Sequence, residues 1–350
     1  MEQMFKVLLP APRLQLLLLP LLLVLLLIWY NPQLLPLGRG APRPHNVTVL
    51  VWHWPFAYAY PLHGDVCNTN NGLPSCHLTD NRSLYEQADA VIFHHREITS
   101  RAVVLPINRP RPPGQKWVWM CVESPSRIGN LTWLNGLFNW TLTYQRNADI
   151  YVPYGKRIPR RGNSSSSYTI PQKRSDKLAC WVVSNYKERH RRTTIAKELS
   201  ELIPLDMYGH SVNKPLDQRK LWSTISQYRF YLAFENSEHH DYITEKLWRN
   251  SYMSGTVPVV LGAPRSDYEA VAPPNSFIHV DDFPSARELA EFLRAVASNE
   301  TRYQQYFQWH RDWEVQEYRG WLGRICEACV QYHNAPSRKV YQDLQGWFGS

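Results

Sequence analysis

The sequence predicts an α/β protein of two domains, each with a parallel sheet between layers of helices, preceded by one N-terminal transmembrane helix. Short apolar runs alternate along the 350 residues with segments of helical pattern, as in doubly wound sheets. Residues 14–30 are almost wholly apolar and nearly reach the ~20 residues that cross a bilayer. Without residues 1–45 about 305 remain, enough for two domains.

The N-terminal region predicts a single-pass type II membrane protein. Lys6 and Arg13 lie in a short tail, 1–13, ahead of the apolar segment, and positive charge there places the N-terminus in the cytosol. A cleaved signal peptide is the alternative, but no small-residue cleavage site follows. A Pro-rich stem, 31–45, follows instead. A slightly short span suits a thin early secretory membrane, so we expect a Golgi protein with a luminal body.

Glycosylation triplets and charge agree with a luminal body. The formal net charge is +9 and the pI about 9.2, but a luminal protein rarely meets nucleic acid, so acidic sugars and nucleotide diphosphates are the expected partners. Asn-X-Ser/Thr triplets predict N-glycosylation on a secretory route. They begin at Asn46, Asn81, Asn130, Asn139, Asn163 and Asn299.

The cysteines predict disulfides, which are the default in an oxidising lumen. A zinc site is the alternative, although the eight residues between Cys67 and Cys76 are a poor spacing for it. These two cysteines and the late pair, Cys326 and Cys329, are the disulfide candidates. Spacing leaves pairing within or across the pairs open.

The first domain is predicted over 46–155. Its continuous apolar runs at 47–52, 88–94 and 117–122 are typical of strands buried on both faces. Residues 156–177 are rich in Ser, Pro and basic residues, which predicts an interdomain linker or a plain surface loop.

The second domain is predicted over 178–325, and 326–350 are expected to return to the first domain. The α/β rhythm predicts strands at 180–184, 205–208, 229–235 and 256–261, and helices at 191–203 and 241–253.

The segment from Phe230 to Gly262 carries the most chemistry. It predicts a strand, a polar loop, a helix and a second strand, and ligands of doubly wound folds bind at such loops. Tyr242 and Lys246 are four positions apart and would share a helix face, so Lys246 could reach a diphosphate at the helix start. Glu245 could accept hydrogen bonds from sugar hydroxyls. Solvated surface charge is the alternative for both charged residues.

This segment also carries a family resemblance. FENSEHHDYITEKLWRN followed by GTVPVVLG resembles the signature of the α1,3-fucosyltransferases of glycosyltransferase family ten, and VWHWPF, FHHRE, ESPSR, FNWTLTYQRNADIYVPYG and WVVSN occur in the family's order. VLVWHWPF, the tail VYQDLQGWF and the short stem resemble members that make sialyl Lewis x. The resemblance implies two Rossmann-like domains facing across a cleft (GT-B type), and inverting transfer of L-fucose from GDP-fucose.

The resemblance also implies site residues. Glu123, at the end of the strand 117–122, would be the base that takes the acceptor proton, although a lone Glu there is more often a helix cap or surface residue. Arg192 and Lys246 would stabilise the leaving diphosphate. The tyrosines among the implied donor contacts could equally be core residues. The further donor contacts implied are Tyr154, Val183, Ser184, Asn185, Tyr231, Asn236, Tyr242 and Glu245.

Cofactors and substrates follow from the same resemblance. No Asp-x-Asp motif occurs, so no metal is expected to be obligatory. The expected acceptors are N-acetyllactosamine glycans of glycoproteins or glycolipids, which a basic body suits best when they are sialylated. Another nucleotide sugar donor and an inactive membrane-tethered lectin are the alternatives. Some relatives pair Cys180 with a cysteine where this chain has Tyr228 or a neighbour, so Cys180 is expected to be free or to pair with Cys121.

Overall fold

The structure is a computed structural model whose described residues all belong to one compact unit, Asn46–Ser350. The predicted tail, transmembrane helix and stem lie outside the described residues, as do Asn46 and Asn163. Within the described part of the chain, no helix combines the length and apolarity needed to cross a bilayer. The described residues are 47–71, 76–100, 104–160, 168–318 and 320–349.

Strands and helices alternate through this unit. The strands are β1 (Thr48–Val51), β2 (His77–Thr79), β3 (Ala90–His94), β4 (Lys116–Cys121), β5 (Trp140–Thr143), β6 (Ile150–Tyr151), β7 (Gly155–Pro159), β8 (Ala179–Val182), β9 (Leu205–Tyr208), β10 (Phe230–Phe234), β11 (Val257–Leu261), β12 (Ile278–His279) and β13 (Trp313–Glu317). The α-helices are α1 (Val66–Asn71), α2 (His95–Thr99), α3 (Arg191–Leu202), α4 (Leu221–Ile225), α5 (Arg265–Val271), α6 (Ala286–Ala297), α7 (Glu300–Gln305), α8 (Trp321–Gln331) and α9 (Leu344–Gly349).

The first lobe is built on a six-stranded sheet of order β2-β1-β3-β4-β5-β6, in which every neighbouring pair is parallel. Along β1, Val49 and Val51 belong to one buried cluster and Leu50 to another. Both faces of the sheet are therefore covered, which explains the continuous apolar runs. The three strands predicted in this lobe correspond to β1, β3 and β4.

The second lobe is built on a five-stranded sheet of order β12-β11-β10-β8-β9, also parallel throughout. Along β10, Phe230, Leu232 and Phe234 pack on one face while Tyr231 and Ala233 pack on the other. The prediction of parallel sheets in α/β domains is confirmed. The strand prediction missed short elements such as β12, whose two residues are too few to form a recognisable run.

The predicted linker begins with regular structure rather than a loop. Gly155–Pro159 forms β7, which pairs antiparallel with β13. Farther along, the ring of Tyr168 stacks on His310 with centroids 3.5 Å apart. The prediction for 156–159 is therefore wrong, because alternating polar residues hid a strand whose partner lies more than 150 residues away.

The predicted helix at 241–253 starts later and is wound differently. Asp241 has a left-handed φ of 59°, which a helix cannot include. The chain becomes helical as a π-helix at Lys246–Ser251, followed by a 3₁₀ turn that ends at Gly255 with φ 71°. Tyr242 precedes the helix, so the prediction that Tyr242 and Lys246 share a helix face is wrong.

The end of the chain returns to the first lobe and is covalently attached there. Cys326 and Cys329 of α8 form disulfides with Cys67 and Cys76, respectively. The pairing is thus across the early and late cysteines, and the oxidised sulfurs are not available as thiolate ligands for the alternative zinc site. Cys121 and Cys180 are buried free thiols, so the suggested pairing between them is not formed.

Candidate active site

A cavity of about 230 Å³, here called the second-lobe cavity, opens where β8 and β10 end. These strands are neighbours in a parallel sheet, so the loops after them meet at one edge, where ligands of doubly wound folds bind. Residues of the π-helix also line it. The lining residues are Val182, Val183, Ser184, Asn185, Arg192, Gln218, Leu221, Asn236, Glu245, Lys246, Arg249 and Asn250.

Arg192 brings an unneutralised buried cation to this cavity. Arg192 as a whole residue is 5% exposed. Its guanidinium donates hydrogen bonds to the carbonyls of Phe234 and Asn185. Its Nε has no hydrogen-bond partner, and no carboxylate of the described residues lies within ion-pair distance. Burial lowers the pKa of its guanidinium, which still remains charged at neutral pH. A buried cation of this kind is suited to an anionic ligand.

Lys246 is a second cation on the cavity wall, and the protein itself balances its charge. Its Nζ lies 3.0 Å from Glu235 Oε2 and 3.2 Å from Glu245 Oε1, and it donates to Thr244 Oγ1 at 2.7 Å. Although burial lowers the pKa of Lys246, the two carboxylates raise it overall. The Lys246 side chain is only 16% exposed, so the alternative of solvated surface charge is wrong.

Asn236 adds an unpaired acceptor to the cavity lining. Its Oδ1 is buried and has no hydrogen-bond partner. A buried polar atom without a partner is costly, so a ligand donor at this point would stabilise the site. Val183, Ser184 and Asn185, in the loop after β8, also line the cavity.

The three predicted tyrosines lie beside the cavity but not on its lining. Tyr231 is fully buried, and its hydroxyl accepts a hydrogen bond from Asn250 Nδ2 at 3.1 Å. Tyr242 packs edge-on against Tyr144 with ring centroids 5.1 Å apart. Tyr154 donates to the carbonyl of Val122 at 2.8 Å. The structure thus places them as packing residues, and donor contact remains a prediction for each.

Glu123 lies at the carboxyl end of β4 and is exposed. The next residue, Ser124, donates to Ser237 Oγ at 2.8 Å, and Ser126 does so at 2.9 Å. Because Ser237 follows Asn236, the turn that carries Glu123 touches the loop that lines the second-lobe cavity. The helix-cap alternative does not hold, since Ser124 is the residue that precedes the 3₁₀ turn.

The asparagines of the glycosylation triplets differ in solvent exposure. Asn81, Asn130 and Asn299 are exposed. Asn139 is buried, and its Nδ2 donates to the carbonyl of Lys339 at 2.9 Å while its Oδ1 accepts from the Trp117 amide. A glycan on this buried Nδ2 would have to displace the segment around Lys339, so the prediction of a glycan at Asn139 is incompatible with this structure.

Sequence reasoning missed several cavity residues. Arg249 and Asn250 lie about one turn after Lys246, a spacing that could have indicated them. Glu235 is not on the lining but pairs with Lys246, which is; because it directly follows the apolar run of β10, the pattern predicts it as the last residue of that strand. Gln218 and Leu221 lie outside the segments that supply the other lining residues, and no motif in their own segment indicates a binding site. They reach the cavity only through tertiary packing.

Comparisons with known proteins cover both lobes. The family model described as "Fucosyltransferase, N-terminal" matches 44–155, and "Glycosyltransferase family 10 (fucosyltransferase) C-term" matches 171–347. The chain is 49% identical over 322 residues to alpha-(1,3)-fucosyltransferase 7 of Bos taurus, covering 92% of this chain and 91% of that protein.

Further relatives extend the comparison. The Homo sapiens alpha-(1,3)-fucosyltransferase 7 is 49% identical, with 89% of each chain covered. A Rattus norvegicus 4-galactosyl-N-acetylglucosaminide 3-alpha-L-fucosyltransferase 9 is 42% identical, covering 87% of this chain and 82% of that one. A crystal structure of an α1,3-fucosyltransferase with GDP-fucose has a TM-score of 0.52 at 18% identity, covering 87% of this chain and 94% of that one. This last likeness shows a shared fold.

Proposed function

The chain belongs to glycosyltransferase family 10 and is an α1,3-fucosyltransferase, and we propose that it transfers L-fucose from GDP-fucose to GlcNAc of sialylated N-acetyllactosamine glycans. The products would be of the sialyl Lewis x type. The observation that carries the proposal is the second-lobe cavity, which is lined by buried Arg192 and partly buried Lys246. The turn that presents Glu123 contacts the loop that forms part of this lining.

The diphosphate of the donor would lie between Arg192 and Lys246. Arg192 lies in the first turn of α3, and the N-terminal end of a helix dipole favours phosphate. Charge on the leaving GDP grows as the bond to fucose breaks, and preorganised cations in a partly dry site stabilise it. In this proposal a divalent metal is at most stimulatory, because Arg192 supplies a buried cation that no carboxylate of the described residues neutralises.

Transfer would proceed as a single displacement. The Glu123 carboxylate takes the proton of the acceptor 3-hydroxyl while that oxygen attacks C1 of fucose. The bond between C1 and the diphosphate oxygen breaks on the opposite side, and its electron pair leaves with GDP. One base and one stabilised leaving group suffice, and the configuration at C1 inverts. A positioned general base contributes about 10²–10⁴-fold to the rate.

Basic side chains of both lobes lie near His190 and support an anionic acceptor. Burial lowers the pKa of His190, and the nearby charges of Arg192, Lys187, Arg189 and Arg127 lower it further. Arg127 follows Glu123 in the first lobe, whereas the others belong to the second. A carboxylate on the acceptor would meet positive potential from both sides.

We also propose that the protein is a single-pass type II protein of the Golgi membrane with a luminal body. The apolar residues 14–30 support the anchor. Two disulfides in the body support an oxidising compartment. Protease protection of the body in sealed membranes checks the topology, and cleavage of the body by protease added outside would refute it.

The experiment is a transfer assay with the purified protein and paired acceptors, sialylated and unsialylated N-acetyllactosamine. We expect an α1,3-fucosylated product, more rapidly from the sialylated acceptor. Glu123→Gln should lose transfer by about 10²–10⁴-fold while GDP still binds. Glu86→Gln, an exposed glutamate of the same lobe, is the control. Equal rates with GDP-mannose or UDP-galactose would overturn the donor, and an active Glu123→Gln would overturn the base.

A further inference from the structure

The loop 236–244, between β10 and the π-helix, is attached at its tip to the first lobe. Arg146, in the turn after β5, donates from its backbone N to Asp241 Oδ2 at 2.9 Å and from its Nε to Asp241 Oδ1. Its Nη2 donates to Asp267 Oδ1 of α5 at 2.8 Å. Asp267 is 3% exposed, and its Oδ2 accepts the Asp241 amide at 2.8 Å. One guanidinium therefore joins a first-lobe turn, the loop and a second-lobe helix.

Neighbouring contacts fix the same tip. The Tyr242 side chain is buried in the first-lobe core, where its ring meets Tyr144. Asp241 has φ 59°, a left-handed conformation that Asp adopts more readily than most residues. Such conformations persist where surrounding contacts over-determine them, and they cluster at functional sites. The ion pairs and the buried ring supply those contacts.

Both ends of the loop carry groups of the second-lobe cavity. Asn236 begins it, and Glu245 and Lys246 follow its end. Ser237, next to Asn236, meets Ser124 beside the base candidate. A shift of the tip would therefore move the cavity walls and the contact between the lobes together.

We propose that Arg146 is a positioning residue that couples the first lobe to the loop that shapes the donor cavity. The proposal rests on the proposed function, since it assigns GDP-fucose to that cavity. Without the guanidinium, the carboxylates of Asp241 and Asp267 would face each other unscreened. Their repulsion would push the loop tip away from α5 and out of its left-handed turn. His240, whose Nδ1 lies 3.1 Å from Asp267 Oδ2, is too exposed to replace Arg146.

The test measures KM for GDP-fucose, kcat at saturating acceptor and GDP affinity by calorimetry, on the full-length protein. Arg146→Gln should weaken GDP binding and raise KM by roughly ten- to a hundredfold, and Arg146→Lys should fall between it and wild type. Adding Asp241→Asn to Arg146→Gln should restore part of the affinity, because the repulsion is removed. Arg265→Gln breaks exposed ion pairs on the same helix, α5, and should leave all three quantities unchanged.

A purely structural role would lower Tm and kcat of Arg146→Gln with KM and GDP affinity unchanged, and that result overturns the proposal. If Arg146→Gln does not fold, Arg146→Lys carries the test, because it keeps a positive charge but cannot bridge both carboxylates as the guanidinium does. An unchanged KM in that variant is equally decisive against the proposal. A wild-type protein that binds no GDP-fucose overturns the proposed function as well, whereas normal transfer by every variant overturns this inference alone.

Discussion

Lys246→Met should destabilise the protein as well as impair transfer, because Lys246 neutralises a buried carboxylate. The Glu235 side chain is 1% exposed, and Lys246 Nζ lies 3.0 Å from its Oε2. The Glu235 carboxylate accepts its other hydrogen bonds from the amide and hydroxyl of Thr244, which carry no charge. Removing one partner of a buried ion pair typically costs about 3–5 kcal/mol, and we expect a loss of that size at neutral pH.

The size of that loss should depend on pH. Burial raises the pKa of Glu235, and the attraction of Lys246 opposes the rise. Without Lys246 the folded-state pKa rises further, so above the ordinary Glu pKa the native state holds a proton that the unfolded chain has released. The free energy of unfolding then falls as pH rises through this window. The loss of unfolding free energy in Lys246→Met relative to wild type is therefore smallest near the ordinary pKa of Glu and largest at neutral pH.

Urea denaturation at about pH 5 and pH 7.5, followed by tryptophan fluorescence, measures the deficit. Glu235→Gln combined with Lys246→Met should recover most of the stability, because no charge is left buried. Arg174→Gln, which breaks an exposed ion pair with Asp176, is the control and should change the unfolding free energy little. A Lys246→Met deficit below about 1 kcal/mol, against the 3–5 expected for a broken buried pair, would refute the reasoning. So would a deficit that is equal at both pH values.

Three further outcomes are expected. Replacing both Cys76 and Cys329 by Ala should lower the unfolding free energy by about 3 kcal/mol, the value for a short loop. Only a short loop is opened, because the Cys67–Cys326 disulfide still closes the long one. An unchanged urea midpoint would count against this. Arg192→Lys should weaken GDP binding by about tenfold, since an ammonium cannot keep both carbonyl contacts, and calorimetry that gives wild-type affinity would disprove it. Glycopeptide mass mapping should find Asn139 unmodified while exposed Asn130 is available, and a glycan at Asn139 would show that the fold differs there.

Local pattern was sufficient where one segment carried its own signal. The runs at β1, β4 and β10 are apolar on both faces, so composition alone indicated buried parallel strands. The family signature around Glu245 and Lys246 pointed to residues that do line one cavity. These features depend on neighbours in the chain, which a sequence displays directly.

Contacts between residues far apart in the chain could not be predicted from the local sequence pattern. The pattern of 156–159 predicts a linker although these residues form most of β7, because the backbone hydrogen bonds of β7 are made with β13, far away in the chain. The helix before Gly255 was predicted too long, because the left-handed turn at Asp241 depends on Arg146 and Asp267, far away in the chain.

The sequence by itself determined the class of sheet, the family and most of the residue types at the second-lobe cavity. Only the tertiary structure decided which cysteines pair, that Glu235 neutralises Lys246, and that Tyr231 and Tyr242 are packed in cores beside the cavity. The physical reason is range: hydrophobic periodicity acts over a few residues, whereas a buried charge or a disulfide is set by whichever distant group the fold brings within a few ångströms.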